Sequence, residues 1–91
     1  MRLALTEADD LPARVRAADD NSVVVVIDAG WSRLAAALAQ AAIAPLAIER
    51  APAGRLNLVI RDADADPAAV DAAVAFLEGA RSTTGQVLTV S

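Results

Sequence analysis

The chain has 91 residues, of which 56% are hydrophobic and 24 are alanine, and this length predicts a single domain over residues 1–91. A net charge of −4 argues against nucleic-acid binding through bulk electrostatics, and the absence of cysteine excludes disulfides and thiolate metal sites. Because histidine, tyrosine and lysine are also absent, the side chains left for catalysis are carboxylates, arginines and hydroxyls.

The first third of the chain predicts a strand, a helix and a second strand. Residues 2–6 form a short strand candidate. Thr6, with Asp9 three residues later, resembles a capping box, and the apolar spacing that follows predicts a helix over residues 9–19. Residues 23–27 form an unbroken β-branched run, which is typical of a strand buried on both faces in a parallel sheet.

The middle of the chain predicts a long helix followed by a third strand. Residues 31–50 are rich in alanine and leucine, which favour helix strongly. Pro45 lies inside this segment and is expected to kink the helix or end it early, because proline lacks the backbone donor. The apolar residues of the segment 56–60 predict the third strand.

The last third of the chain predicts one more helix and one more strand. Asp66 followed by proline is an N-cap signal for a helix over residues 67–79, whose apolar positions recur at helical spacing. Residues 86–90 predict the final strand. The order βαβαβαβ indicates an α/β fold, with a mostly parallel four-stranded sheet and helices packed on it. Strand order 1-2-3-4 and right-handed crossovers are the simplest choices, although the face covered by the last helix stays open.

Sequence also bears on the compartment. The apolar N-terminal residues are interrupted at Glu7, which is too early for the hydrophobic region of a signal peptide. The longest nearly uncharged run, Leu34 to Ile48, is shorter than the roughly 20 apolar residues of a membrane-spanning helix. We therefore expect a cytoplasmic protein that binds no membrane. Abundant alanine, with arginine as the only basic residue, is typical of GC-rich bacterial genomes.

Two stretches in the second half of the chain form recognisable motifs. Residues 46–57 read LAIERAPAGRLN, and residues 72–77 and 84–90 read AAVAFL and TGQVLTV. They resemble LALELAPxGIRVN and AVxFLxS…xTGQVLxVDGG, the C-terminal motifs of the short-chain dehydrogenase/reductase family. The resemblance extends over residues 22–91 and implies a truncated Rossmann-like domain that corresponds to strands 4 to 7 of that family.

The same resemblance implies a fold without the family's chemistry. Ser32 stands where the catalytic tyrosine belongs, Ala36 where the lysine belongs, and Ala29 near the place of the serine. The four glycines do not form a G-x-G-x-x-G loop, so the pyrophosphate cradle is absent. We therefore predict a degenerate, non-catalytic pseudoenzyme that holds no cofactor and no metal.

Several polar and aromatic side chains are expected at the carboxyl edge of the sheet, where ligands bind in open α/β folds. These residues are Asp28, Trp31, Ser32, Asp62 and Asp64. They predict either a small-molecule site or ordinary structural roles, since Asp28 stands where a helix N-cap is wanted and Trp31 is equally explained as a packing anchor. The acidic spacing of residues 62–66 also resembles the start of an EF-hand loop, but the required glycine and glutamate are missing.

The middle helix has no charged side. Between Leu34 and Ile48, Gln40 is the only polar side chain, whereas a helix lying on a sheet needs only one apolar stripe. Leaving about 400 Å² of apolar helix surface in water forgoes roughly 10 kcal/mol, which is comparable with the stability of a small domain. We therefore predict an interface on this helix. The interface residues are Leu34, Ala37, Leu38, Ala41, Ala42 and Pro45.

The predicted interface leads to three hypotheses of function. In the first, the chain self-associates as a homodimer or higher homo-oligomer, or serves as a subunit of a partner such as a full-length dehydrogenase. The resemblance agrees, since the corresponding helix in that family packs against its symmetry mate in a four-helix bundle. In the second, the chain binds a small molecule near Asp28 and Trp31. In the third, Asp28 and Asp62 act as an acid–base pair, but no spacing demands this.

Overall fold

The computed structural model describes residues 1–91 as four strands and three helices. The strands are β1 (Arg2–Ala4), β2 (Ser22–Asp28), β3 (Arg55–Arg61) and β4 (Val87–Val90), and the helices are α1 (Leu11–Ala17), α2 (Arg33–Arg50) and α3 (Pro67–Gly79). Every strand pair is parallel, and the order across the sheet is β1-β2-β3-β4. The predicted α/β fold and strand order are confirmed. Each helix is too short or too polar to cross a bilayer.

The central strand β2 is buried on both faces, as its β-branched run predicts. Val23, Val25 and Ile27 pack against α1 and α2 on one face of the sheet. Val24 and Val26 pack against α3 on the other face. Two hydrophobic cores therefore share this one strand, and each contains alternate side chains of it.

The third helix lies on the face of the sheet opposite to the first two. Because all strands are parallel and follow one another in order, a helix on the opposite face gives its crossover the opposite hand. The β3–α3–β4 connection therefore departs from the hand of the two earlier ones, so right-handed crossovers throughout are not observed. The physical reason lies in β2, whose second apolar face is left for α3 to cover once α1 and α2 occupy the first.

The first helix is shorter than predicted, and its N-cap is a different residue. Half of the expected capping box forms, because the Asp9 carboxylate accepts the Thr6 N–H at 2.7 Å. This contact closes a turn before the helix. The N-cap is Asp10, whose carboxylate accepts the Ala13 N–H at 3.1 Å, and Pro12 stands in the first turn. The box therefore belongs to the loop between β1 and α1.

The long helix continues past its proline to Arg50, so the expected early end at Pro45 is not observed. Proline cannot donate a hydrogen bond to the carbonyl of Ala41, four residues earlier. Both residues lie on the exposed side of α2, outside the chain's own core. The missing hydrogen bond is least costly there, because solvent can reach the carbonyl.

Two arginines fasten the C-terminal ends of the shorter helices. Arg50, at the end of α2, donates Nη1 to the Val15 carbonyl at 3.0 Å and so binds the last turn of α1. Arg55, at the start of β3, donates to the carbonyls of Leu77 and Ala80 at 3.1 and 2.6 Å, at the end of α3. A cation is favourable at these positions because the last carbonyls of a helix lack intrahelical partners.

A buried amide joins β3 to the turn before β4. Asn57 is fully buried; its Nδ2 donates to the Thr83 carbonyl at 3.1 Å, and its Oδ1 accepts the Gln86 N–H at 3.0 Å. A polar side chain in this position is tolerated because both ends of the amide have a partner. Asn57 therefore positions the last strand.

Candidate functional site

The exposed side of α2 is entirely apolar. Successive helical residues are rotated by about 100°, so the side chains opposite the buried Ala39 and Ile43 point away from the sheet. Those side chains, which we call the α2 stripe, are Leu34, Ala37, Leu38, Ala41, Ala44, Pro45 and Ile48, and all are exposed. Leu34, Leu38 and Ile48 are 69%, 61% and 75% exposed. The stripe extends for about 21 Å along the helix.

The polar residues of α2 lie beside the stripe and not on it. Arg33 and Gln40 fall on one flank by helical rotation, and Glu49 falls on the other. Glu49 is occupied within the chain, because it accepts Nε and Nη2 of Arg16 at 3.0 and 2.9 Å. These hydrogen bonds hold the pKa of Glu49 below its ordinary value and raise the pKa of Arg16. The stripe is thus uncharged along its whole length.

Five residues of the stripe follow the spacing of a helix–helix seam. Leu34, Leu38, Ala41, Pro45 and Ile48 are separated alternately by four and three residues. This is the a/d pattern by which one helix packs along another. Alanine at the centre of the seam permits close approach of a second helix.

A shallow cleft extends the apolar surface beside the C-terminal half of the stripe. It has a volume of about 290 Å³ and lies between the end of α2, near Ala47 and Ile48, and the turn at Thr84 and Gly85. Gly85 has a φ of 74°, which L side chains rarely adopt. The turn thus keeps this edge of the stripe open.

The predicted interface residues mostly lie in the stripe. Leu34, Ala37, Leu38, Ala41 and Pro45 are exposed on it. Ala42 is half-buried and turned toward α1, where it packs against the core. Sequence reasoning missed Ala44 and Ile48, although continuing the alternation of four and three residues from Leu34 reaches Ile48. Ile48 is the most exposed large hydrophobic side chain of the protein.

The residues predicted at the strand ends do not converge on one cavity. Asp28 ends β2 opposite Arg61 of β3, and its carboxylate accepts the Gly30 N–H at 2.8 Å. Its interpretation as a helix N-cap is wrong, because Ser32 caps α2 by accepting the Ala35 N–H at 3.1 Å. Ser32 takes this position because an N-cap must directly precede the first helical turn, and Asp28 lies too far before it.

The two remaining acidic residues of the predicted edge lie in the loop after β3. The Asp62 N–H donates to the Val90 carbonyl at 2.8 Å, and Asp64 is exposed. Neither lines a cleft. The structure contains no group of three metal-ligating side chains, so the carboxylates of residues 62–66 do not come together as a cation site. Asp66 instead accepts the Ala68 N–H at 2.9 Å and caps α3.

Trp31 is the one residue of the predicted edge that lines a cleft. This α1–α2 groove has a volume of about 320 Å³ and lies between the start of α1 and the first half of α2. Its apolar lining includes Leu11, Trp31 and Leu38. Trp31 also packs against the core, and its Nε1 is buried without an acceptor. The residue is therefore both a packing anchor and part of a groove wall.

Three carboxylates border the α1–α2 groove. Asp9 pairs with Arg14 at 3.2 Å, and the Thr6 N–H holds the pKa of Asp9 below its ordinary value. Glu7 accepts the Ser32 N–H, and Asp10 caps α1. Neither Glu7 nor Asp10 has a basic partner. The groove thus has an apolar lining and a negative border, a feature that sequence alone did not reveal.

The strand ends do not fit the dinucleotide that a dehydrogenase fold implies. A pyrophosphate is held by free backbone N–H groups at a helix N-terminus. Here each helix start already has an oxygen acceptor from the chain itself: Asp10 at α1, Ser32 with Glu7 at α2, and Asp66 at α3. Carboxylates at these positions also repel phosphate.

Comparison with known proteins identifies the family. A family model described as SDR-like, short chain dehydrogenase-like protein, matches residues 4–90. Comparisons with curated proteins and with solved structures gave no match. The family match begins at the last residue of β1 and includes α1, which the motifs of the second half did not cover. The chain therefore belongs to the SDR-like family of short chain dehydrogenase-like proteins.

Proposed function

We propose that this chain is a non-catalytic dehydrogenase-like domain that acts by associating with a second copy of itself through the α2 stripe. The observation that supports the proposal is the composition of the α2 stripe, whose seven exposed residues are all apolar, with the polar residues of the helix placed beside it. A monomer that used this side only as a solvated surface would gain by carrying charges on it. The arrangement fits an isologous dimer, in which the same surface faces itself.

The size of the surface is consistent with a reversible dimer. Leu34, Leu38 and Ile48 each keep most of their side-chain area exposed. Fully burying a leucine or isoleucine contributes about 1.5–3 kcal/mol, so six partly exposed side chains in a dimer contribute on the order of 10 kcal/mol. Association costs about 4–15 kcal/mol in lost motion and ordering. At the low end of that cost the surplus is about 6 kcal/mol, which corresponds to a dissociation constant of tens of micromolar, and closely packed alanines strengthen the association.

The residues at the positions of the dehydrogenase catalytic groups support a non-catalytic role. Ser32, at the position of the tyrosine, uses its hydroxyl oxygen to cap α2. Ala36, at the position of the lysine, has no functional group. A general acid must present its proton to a substrate from a favourable geometry. Ala36 has no proton to present, and the aliphatic hydroxyl of Ser32 is a far weaker acid than the phenol it replaces.

Light scattering after size-exclusion chromatography tests the proposal with matched variants. We expect the parent chain at micromolar concentration to have twice the 9.3 kDa mass of one chain. Leu34→Glu and Ile48→Glu place a charge on the stripe and should give a monomer. The control is Phe76→Glu, because Phe76 is 65% exposed on α3, on the other face of the sheet. It should leave the dimer intact.

Circular dichroism and urea unfolding of each variant establish that a change in mass is not a loss of fold. A parent chain that is monomeric at the highest concentration tested contradicts the proposal. So does dissociation of the dimer by Phe76→Glu alone, which would assign the interface to α3.

A further inference from the structure

We propose that the α1–α2 groove binds an amphipathic organic cation, that is, an ammonium group attached to a small apolar body. The groove goes beyond the proposed self-association, because it lies beside the stripe and shares only Leu38 with it. The inference depends on three features of the groove, which are its volume, its apolar lining and the charge along its border.

The volume and lining fit the apolar part of such a ligand. A cleft of about 320 Å³ is within the range of small-molecule sites, which are mostly apolar with a few polar groups. Trp31 supplies an aromatic ring, and Leu11 and Leu38 supply aliphatic surface from the two helices. These side chains come from three different segments, so the site exists only in the folded chain.

The border charges select a cation. Each of Glu7 and Asp10 accepts one backbone N–H, which engages one carboxylate oxygen and leaves the second without a partner. No basic side chain lines the groove, and Arg14, the nearest cation in sequence, is paired with Asp9. An anionic ligand would meet two carboxylates that form no salt bridge. An ammonium group would compensate them and gain attraction from the indole of Trp31.

The first test compares three probes of similar shape and different charge, namely 2-phenylethylammonium, 2-phenylethanol and 3-phenylpropanoate. Trp31 is the only tryptophan, so its fluorescence reports occupancy directly, and calorimetry supplies an independent affinity. We expect the ammonium probe to bind about tenfold more tightly than the alcohol and to lose affinity as salt concentration rises, with no binding of the carboxylate. Equal binding of ammonium and alcohol, or no saturable response to the ammonium probe, overturns the proposal.

The second test uses variants that keep the local hydrogen bonds. Glu7→Gln retains the acceptor for the Ser32 N–H, and Asp10→Asn retains an equally good N-cap. Each should weaken binding of the ammonium probe about three- to tenfold. Asp64→Asn removes a carboxylate that lines no cleft and should leave affinity unchanged. If neither groove variant weakens binding, or if the control weakens it equally, the proposal is wrong.

The outcome is separable from that of self-association when the titrations are repeated in Leu34→Glu, since Leu34 does not line the groove. We expect the ammonium probe to have the same affinity in this variant as in the parent, whatever the mass of the parent. Binding seen only in Leu34→Glu would assign the groove to a second copy of the chain and overturn the small-cation proposal.

Discussion

The outer sides of α2 and α3 differ, although both helices are rich in alanine and cover the same sheet from opposite faces. On α3, Asp71 pairs with Arg2 at 2.6 Å and Glu78 lies 3.7 Å from the N-terminal ammonium group. Phe76 is the only large apolar side chain exposed on that helix. The outer side of α2 instead exposes three large apolar side chains, Leu34, Leu38 and Ile48.

This difference shows that composition alone does not explain the bare surface of α2. On α3 the carboxylates of Asp71 and Glu78 lie beside the outer side by helical rotation, and the outer side itself carries alanine, glycine and one large residue, Phe76. On α2 the polar residues are confined to the flanks and the ends. A row of large exposed apolar side chains is specific to α2, and for this reason we attribute it to a partner and not to a general property of the sequence.

The strongest test of this comparison uses two isoleucines that lie on opposite sides of α2. Ile43 is fully buried and Ile48 is 75% exposed. Ile43→Ala should lower the free energy of unfolding by about 2–5 kcal/mol, because it leaves a cavity in the core. Ile48→Ala should change monomer stability by less than about 0.5 kcal/mol but weaken association. Urea unfolding and light scattering separate the two effects, and a large stability loss in the monomeric Ile48→Ala chain would show that the residue belongs to the core.

Arg50 and Arg55, which bind the C-terminal carbonyls of α1 and α3, offer a matched test of how much these contacts stabilise each helix. Arg50→Met and Arg55→Met each remove charge-assisted hydrogen bonds to helix carbonyls and should cost about 1–3 kcal/mol of unfolding free energy. Hydrogen exchange should then rise in α1 for Arg50→Met and in the last turn of α3 for Arg55→Met. Faster exchange at the same helix in both variants would mean that each arginine does not stabilise only the helix it binds.

Pro45 tests whether the middle of α2 is optimised for the isolated chain. Replacing a helix-interior proline with alanine restores a hydrogen bond to Ala41, while the unfolded chain regains freedom. We expect Pro45→Ala to raise the unfolding free energy of the monomer by about 1–2 kcal/mol. The measurement is urea unfolding in the Leu34→Glu background, where association does not contribute. A destabilised variant would show that the proline ring makes packing contacts that this account omits.

The smallest expected effect concerns the ion pair on the flank of α2. Hydrogen bonds from Arg16 hold the pKa of Glu49 below its ordinary value, and the Ser22 N–H with the N-terminal charge does the same for Asp20. The unfolded chain therefore binds more protons at low pH, so stability should fall as pH drops below about 4.5. Glu49→Gln should reduce the shift of the urea midpoint between pH 7 and pH 3 slightly, while Asp64→Asn leaves it unchanged. An equal reduction in both variants would contradict the assignment to the ion pair.

Much of the fold follows from local patterns in the sequence. The β-branched run of residues 23–27 predicts a strand buried on both faces, and Asp66 with Pro67 marks the start of α3, because these signals depend on neighbouring residues only. The face covered by α3 does not follow from its own sequence. It depends on which face of β2 the other helices leave open, and that is settled only when the whole sheet assembles.

The two candidate surfaces also differ in whether the sequence predicts them. The α2 stripe is visible in the sequence because helical rotation fixes which residues share a side. Only Ala44 and Ile48 were missed, and Ala42 was wrongly included. The α1–α2 groove is not visible, because it depends on Glu7 reaching the Ser32 N–H, 25 residues away, and on α1 docking beside α2. Long-range contacts of this kind leave no periodic signal.

Sedimentation equilibrium of the parent chain, measured over a range of concentrations, tests the central claim most directly. The account predicts a reversible shift from the 9.3 kDa mass of one chain to twice that mass in the micromolar range. A single-chain mass at every concentration, with α2 folded and its apolar side still exposed, would contradict it.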